Sequence, residues 1–365
     1  MGSGGFPAEA DAANIVADAS IPAAREIRVP GIAERCLIGS AKSLKRQLRQ
    51  LVNLPRYGAV GLRDPQHEVE VWLCSNGKTL DVSRNNVVAA LRPFTIGIML
   101  EGVDSENLDA GPVHLCIRQG HEPKRLLGTL HIRLVRRIPL SQHSFCLFEM
   151  DGCGNFCVGT VKIGLYNLRE KWRAELRQRK NPYNFRMAPL DLRCNHVFYI
   201  CPRPVVLVTV EHEGAGNMFP MDLIGPTDSK WYSMALRKTS PAIRLMQESR
   251  RIALASVPLQ QKAIAYEMGK HHRKTNIDWA TLPFRTVPSS LYGLPTLEGA
   301  LCVRDVHIQE FHEVGSHILF ITTIERETSP ENPLAGGRSP QLFHAFSSYR
   351  QYLAMQGPFV EDTSM

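Results

Sequence analysis

The chain has 365 residues, 44% hydrophobic and 21% charged, with a net charge of +8, the composition of an ordinary soluble globular protein long enough for two domains. No apolar run reaches the roughly 20 residues of a membrane-spanning helix, and the opening MGSGGFPAEADAANIVADAS lacks the basic-then-apolar order of a secretory signal. No membrane partner is expected, and the expected location is the cytoplasm.

Residues 1–35 read as a flexible tail, followed by a first domain over 36–175. Lys42, Lys45, Arg46, Arg49, Arg56 and Arg63 stand in a stretch without an acid. Leu44, Leu48, Leu51 and Val52 fall on one helical face there, so the bases read as its solvated side. A basic stripe can hold nucleic acid. No zinc-finger, RRM or KH pattern accompanies it, and nucleic acid is disfavoured as a partner. LPRYGAVGL (54–62) reads as a strand, and LGTLHIRLVRRIPLSQHSFCLF (127–148) as a hairpin. The basic REKWRAELRQRK (169–180) runs into a linker, 176–186.

A second domain is expected over 187–356, with a tail at 357–365. CPRPVVLVTV (201–210) is a β-branched strand, EHEGAGN a turn, and SKWYSMALRK a second strand region. TSPAIRLMQESRR (239–251) reads as a helix with Ser240 as N-cap and Pro241 at the first helical position. IALASVP is a strand, LQQKAIAYEMGKHHRK is helical, and the histidine pair 271–272 reads as solvated. LEGALCVRDVHIQEFHEVGSHILFITTIE (297–325) is a long hairpin, and QLFHAFSSYRQYL closes the domain.

Four blocks recur in order. LPRYGAVGL parallels the Pro-Arg strand. Asn76 and Asp81 repeat the spacing of Asn217 and Asp222. The hairpin 127–148 parallels 298–321, with Gly128 against Gly299, His143 against His317 and a turn three residues shorter. LYNLREKWR (165–173) parallels LFHAFSSYR (342–350). The order argues for a duplication whose first copy has diverged, since it lacks the 239–251 helix.

Nine cysteines, Cys36, Cys74, Cys116, Cys146, Cys153, Cys157, Cys194, Cys201 and Cys302, are odd in number and dispersed. They read as buried reduced thiols. A metal at Cys146, Cys153 and Cys157 is disfavoured, because the spacing is loose and no histidine joins it in register. There is no GxGxxG opening a βαβ unit, no Walker A, HExxH or GxSxG. GAGN (214–217) reads as a hairpin turn.

PRPVVLVTV, Asn217-Met218-Phe219-Pro220, KTSPAI, LEGAL with GSHILF, and the closing LF…YR together resemble the flavin reductase-like family, whose fold is the FMN-binding split β-barrel. The resemblance covers nearly all of 186–352 and reaches the first half only through the repeat. It implies a mainly β fold with helices (α+β), built as two tandem split-barrel-like domains forming an intrachain pseudo-dimer, and a homodimer is compatible with it. It implies FMN, or FAD, as cofactor and NADH or NADPH as a transient reductant. The partner is then a small-molecule substrate or a flavin-using monooxygenase.

On that resemblance, the flavin phosphate falls to the start of the helix after Arg237, Lys238, Thr239 and Ser240, where free amides and the helix dipole favour an anion. The ring edge falls to Asn217, Met218, Phe219, Pro220 and Met221. His317 takes the position near the ring or the nicotinamide, donating a hydrogen bond or stabilising charge. Asp222 departs from the family's small residue, and a carboxylate there repels phosphate unless Lys230 or Arg237 pairs with it. The reading is thus an FMN-dependent oxidoreductase. The alternatives are a split-barrel enzyme of a biosynthetic pathway with non-reductase chemistry, or a non-enzymatic binding module with a decayed flavin site.

Overall fold

Apolar residues recurring at every second position build two antiparallel seven-stranded sheets. The structure is a computed structural model describing residues 57–106, 108, 111–157, 159–180, 187–329, 341–347 and 359–360. The N-terminal tail, the basic 44–52 stretch, Cys36 and residues 181–186 of the linker lie outside the described residues.

The first sheet comprises β1 (Val69–Ser75), β2 (Lys78–Asp81), β3 (Asn86–Leu91), β4 (Phe94–Glu101), β5 (Val113–Gln119), β6 (Leu126–Leu140) and β7 (His143–Asn155). The second comprises β8 (Val206–His212), β9 (Ala215–Met221), β10 (Ile224–Pro226), β11 (Trp231–Arg237), β12 (Arg251–Ser256), β13 (Val303–Val314) and β14 (His317–Thr328). Among the described residues five α-helices accompany them: α1 (Gly102–Glu106), α2 (Thr160–Lys180), α3 (Pro189–Phe198), α4 (Ala242–Ser249) and α5 (Lys262–Met268). The protein is therefore mainly β with helices, as expected.

The sheets run β2-β1-β5-β6-β7-β4-β3 and β9-β8-β12-β13-β14-β11-β10. The two orders are the same when the strands of each half are counted from its first. Local geometry repeats too. The β1–β2 turn puts Asn76 and Gly77 at positive φ, and the β8–β9 turn does the same with Glu213 and Gly214, the backbone of a two-residue hairpin matched to strand twist. The β6–β7 ladder shifts register at His131/Ile132 and Leu134/Arg136. The β13–β14 ladder shifts at Asp305/Val306 and Ile308/Glu310. Both hairpins close through two residues, the first of them at positive φ: Ser141 before His143 and Gly315 before His317.

Several sequence parallels shift on this frame. His143 and His317 do open equivalent strands. Gly128 lies inside β6 opposite Ile117, whereas Gly299 lies in the turn before β13 at φ 79°, so they are not counterparts, and the closing turns have the same length. Asn76 sits at the turn position of Glu213, not of Asn217. The counterpart of the 206–212 strand is β1, whereas residues 57–62 pair with 342–347 in a separate small sheet that also holds 203–204 and 359–360. Residues 165–173 are helical within α2 while 342–347 are a strand, so that match fails. The helix α2 also runs through residue 176, where the linker was expected to begin.

Each sheet wraps its own apolar filling. Val206, Val208, Phe219, Met234, Leu254 and Phe320 fill the second, with Ala242, Leu245 and Met246 of α4. Ile96, Ile98, Leu115, Leu130 and Phe148 belong to the core of the first, which continues through Phe198 of α3. A third cluster joins the halves: Leu140, Phe145 and Leu147 meet Val314, Leu319 and Ile321, which are equivalent positions of the two hairpins. Each hairpin tip also reaches a turn of the other half. Arg92 N–H donates to Ser316 Oγ at 3.1 Å, and His143 Nε2 lies 3.4 Å from Asp228 Oδ2. Among the described residues no helix is long and apolar enough to cross a membrane.

Candidate functional site

The β11–β14 register places Arg237 directly opposite His317. The pairing continues past the strand end, where Lys238 N–H donates to Ser316 C=O at 3.2 Å. Lys238 Nζ meets Glu313 Oε2 at 2.6 Å. His317 is fully buried, and its Nδ1 lies 2.8 Å from Ser316 Oγ. Ser316 Oγ receives the Arg92 N–H. The ring is thus held through Nδ1, with the direction of that bond following the tautomer. Burial, and then the Arg237 charge, push the His317 pKa down to about 3, so the ring is neutral at physiological pH.

Arg237 is itself pushed down to about 10 by burial and by Arg273. It stays cationic, held beside a like charge. Arg273 ends a short 3-10 helix, Gly269–Arg273, that packs on β9. His272 belongs to the same turn. Its ring stands 5.2 Å from Phe219, and the Pro220 carbonyl favours its protonated form. Burial and Arg237 hold its pKa down at about 4. The histidine pair expected to be solvated is thus packed between β9 and Arg237. The sequence signal was the unbroken KHHRK run (270–274) at the end of an amphipathic helix.

After Arg237 the chain turns, with Ser240 N–H donating to Arg237 C=O at 2.9 Å, and enters α4. The helix is shorter than 239–251, and Pro241, not Ser240, stands at its N-cap position without a side-chain cap bond. The Ser240 carbonyl accepts from Ile243 N–H, while its buried Oγ has no hydrogen-bond partner. Thr239 and Lys238 are exposed. Arg237, Lys238, Thr239, Ser240 and His317 are therefore brought together, joined by His272 and Arg273, which sequence reasoning missed.

The segment 217–221 lies differently. It is strand β9, fully paired to β8 on one side. Residues 271–277 cover its other edge. Asn217 Nδ2 donates to the carbonyls of His271 and Lys274 at 3.1 and 2.8 Å, and Asn276 Oδ1 accepts from Gly216 N–H at 2.8 Å. Met218 faces one core, Phe219 and Met221 the other. Asp222 is buried in a separate cluster, not against Lys230 or Arg237. Tyr199 O–H donates to its Oδ2 at 3.1 Å, and the Arg203 charge acts on it. Arg203 lies 3.9 Å over the Phe198 ring and donates to Asn86 Oδ1 at 2.6 Å. Burial lifts the Asp222 pKa to about 8.

In the first half, Glu101 stands opposite His143 where the second half has Arg237 opposite His317. Gly102 N–H donates to Gln142 C=O, as Lys238 N–H does to Ser316 C=O. The helix that follows is α1, with Asp104 in its first turn. The equivalent position is acidic.

Residues 198–352 match the model of the flavin reductase like domain. No curated protein matches the chain. Among solved structures, the chain is similar to an FMN-binding protein from Thermus thermophilus with bound 1-cyclohex-2-enone, at 23% identity over 39% of this chain and 81% of that one, TM-score 0.34. It is also similar to the NADH:FAD oxidoreductase of Streptomyces globisporus, at 18% identity over 46% and 96%, TM-score 0.37. Component B of nitrilotriacetate monooxygenase from Mycobacterium thermoresistibile is 20% identical over 47% and 87%, TM-score 0.36. The family match thus falls on the second half of the chain, the half that holds Arg237, Ser240 and His317.

Proposed function

We propose that the protein is a flavin-dependent oxidoreductase that binds one FMN per chain at the Arg237–His317 site and takes electrons from NADH or NADPH. The two halves are read as tandem split-barrel-like domains packed as a pseudo-dimer. The observation that carries the reading is Arg237 held beside Arg273, with the buried Ser240 Oγ close by in the chain. Two cations in one place attract a dianionic phosphate, and the α4 amides add to the attraction. These residues fit the phosphate end of a flavin nucleotide.

Bound flavin would supply hydride acceptance from the nicotinamide. The chain supplies the surroundings. Neutral His317 offers Nε2–H as a donor without adding a buried charge. Ser316 holds the ring through Nδ1, and Arg92 holds Ser316, so the first half braces the site of the second. Asn217 acts by anchoring the 271–274 turn that carries His272 and Arg273, and Phe219 and Pro220 receive His272. In this reading Met218, Met221 and Asp222 stay in the core and do not touch flavin. Glu101 and Asp104 repel phosphate at the equivalent position of the first half, which gives one flavin per chain and not two. The eight cysteines among the described residues are all free thiols, which fits the cytoplasm.

Titration of the purified protein with FMN, followed by visible absorption and then anaerobic NADH, tests this. One equivalent should bind and bleach with NADH. Arg237→Met should weaken FMN by tenfold or more, about 1.4 kcal/mol. The covered outer edge of β9 favours a second reading, a binding module that no longer holds the ring. Absence of FMN binding together with unchanged behaviour of Arg237→Met would establish that alternative.

A further inference from the structure

The face of the first sheet turned away from its core carries a group of residues unrelated to the flavin site. Val69, Val71 and Leu73 of β1, and Val113, Leu115 and Ile117 of β5, point into the core. The intervening positions point the other way. Cys74 is directly opposite His114, and Cys116 is opposite Trp72. Period-two alternation therefore brings Cys74, His114 and Cys116 to one side of two adjacent strands. His131 on β6 stands opposite His114 on the same face, with ring centroids 6.2 Å apart.

The distances single out one chemistry. The two sulfurs are 3.5 Å apart, and one ligand atom from each of the three residues lies within 4.8 Å of the others. A disulfide needs about 2.05 Å between sulfurs. Two thiolates at about 2.3 Å from a tetrahedral zinc stand roughly 3.8 Å apart. Both cysteines are buried, 7% exposed each, while His114 is half-buried. The pair is thus shielded from solvent on one side and open through the imidazole on the other.

We propose that Cys74, His114 and Cys116 form a binding site for a soft d10 cation of the zinc class, with His131 placed to close the fourth position. The ion would tie β1 to β5, and through His131 to β6, beside the short β2 at the sheet edge. Both sulfurs must lose their protons to bind the ion. Loading is therefore the exchange of one divalent cation for two thiol protons, and both sulfurs end as thiolates bound to the metal. No oxidant or reductant enters. Affinity should rise with pH.

Cobalt(II) titration of the reduced full chain tests this, since a tetrahedral thiolate site gives a thiolate-to-cobalt charge-transfer band and strong visible bands. One equivalent per chain should produce them, zinc should erase them, and about two protons per metal should appear in weakly buffered solution. Cys116→Ser and Cys74→Ser should each weaken cobalt by tenfold or more. The other thiol pair, Cys153 with Cys194, serves as control, and Cys153→Ser should leave the titration unchanged. If the serine variants do not fold, His114→Gln should still shift the visible bands of the wild-type complex. The proposal is overturned if the wild-type protein gives no charge-transfer band. It is equally overturned if the bands survive in folded Cys74→Ser and Cys116→Ser, or vanish in Cys153→Ser. Formation of a Cys74–Cys116 disulfide on mild oxidation, with no cobalt bound after reduction, would overturn it in favour of a thiol switch.

Discussion

Asp222 shows how much one side chain can reveal before its neighbours are known. In the sequence it stands out as a carboxylate where the family has a small residue, and phosphate repulsion follows from charge alone. Its partners do not follow. Tyr199 and Arg203 precede it across a helix end and a strand, and Asn86 comes from the other half of the chain. A side chain's polarity is local information, whereas its partner is set by how α3 packs on the first sheet and where its end then leads the chain. The cluster makes a specific demand: removing the Tyr199 hydroxyl leaves a buried carboxyl oxygen without its donor, which costs about 1–3 kcal/mol. Tyr199→Phe should lower stability by that amount in urea denaturation, and Tyr199→Phe combined with Asp222→Ala should recover part of it. Additive losses in the double variant would show that the two groups do not interact. His272 escaped notice for a similar reason. Adjacent histidines among lysine and arginine look solvated until a strand with a free edge, β9, is placed beneath them.

At the scale of elements, periodicity was readable and letter-matching was not. The two long hairpins were legible because apolar residues alternate through them, and the histidines opening β7 and β14 fell into equivalence. The parallel between 165–173 and 342–350 rested on a few matching letters. Val161, Leu165, Leu168, Trp172 and Leu176, all exposed apolar residues of α2, recur at steps of four and three, the helical period. That period was the signal against a strand. The contact between the halves was illegible, since it depends on which face of each hairpin turns outward. Within the first half, Gly97 on β4 sits tightly beneath one residue of that contact. A Cβ there would run into the Phe145 ring, and Phe145 is fully buried in the shared cluster. Gly97→Ala should therefore destabilise the protein by about 1–3 kcal/mol through overpacking. Phe145→Leu should absorb the new methyl, so the double variant should be more stable than the sum of the single losses, measured as a coupling energy. Simple additivity would mean that the ring moves aside freely.

For the whole molecule, the titratable groups that the fold buries set its response to pH. Among the described residues, burial depresses four histidines furthest: His196 and His317 to about 3, His272 and His344 to about 4. Each is depressed below its ordinary value near 6.5, so between that pH and about 4 the unfolded chain binds protons that the folded chain refuses. Stability from this source is complete above about pH 6.5 and is lost as the pH falls, by up to about 1.4 kcal/mol per unit for each ring. Asp222 has the opposite sign. Its folded pKa, about 8, lies above the ordinary carboxyl value, so the unfolded chain ionises first and stability falls as pH rises from about 4 to 8. Below about pH 7 four histidines outweigh one aspartate and acid destabilises; above it Asp222 outweighs them, and stability declines gently. The five together place the maximum near pH 7. Urea midpoints from pH 5 to pH 8 should trace that asymmetric peak. His196→Gln should make the acid limb shallower, and Asp222→Asn should flatten the alkaline limb while leaving the acid limb in place. Should the alkaline limb keep its slope in Asp222→Asn, the carboxylate would have to be ionised in the folded protein, paired with Arg203 closely enough to offset its burial.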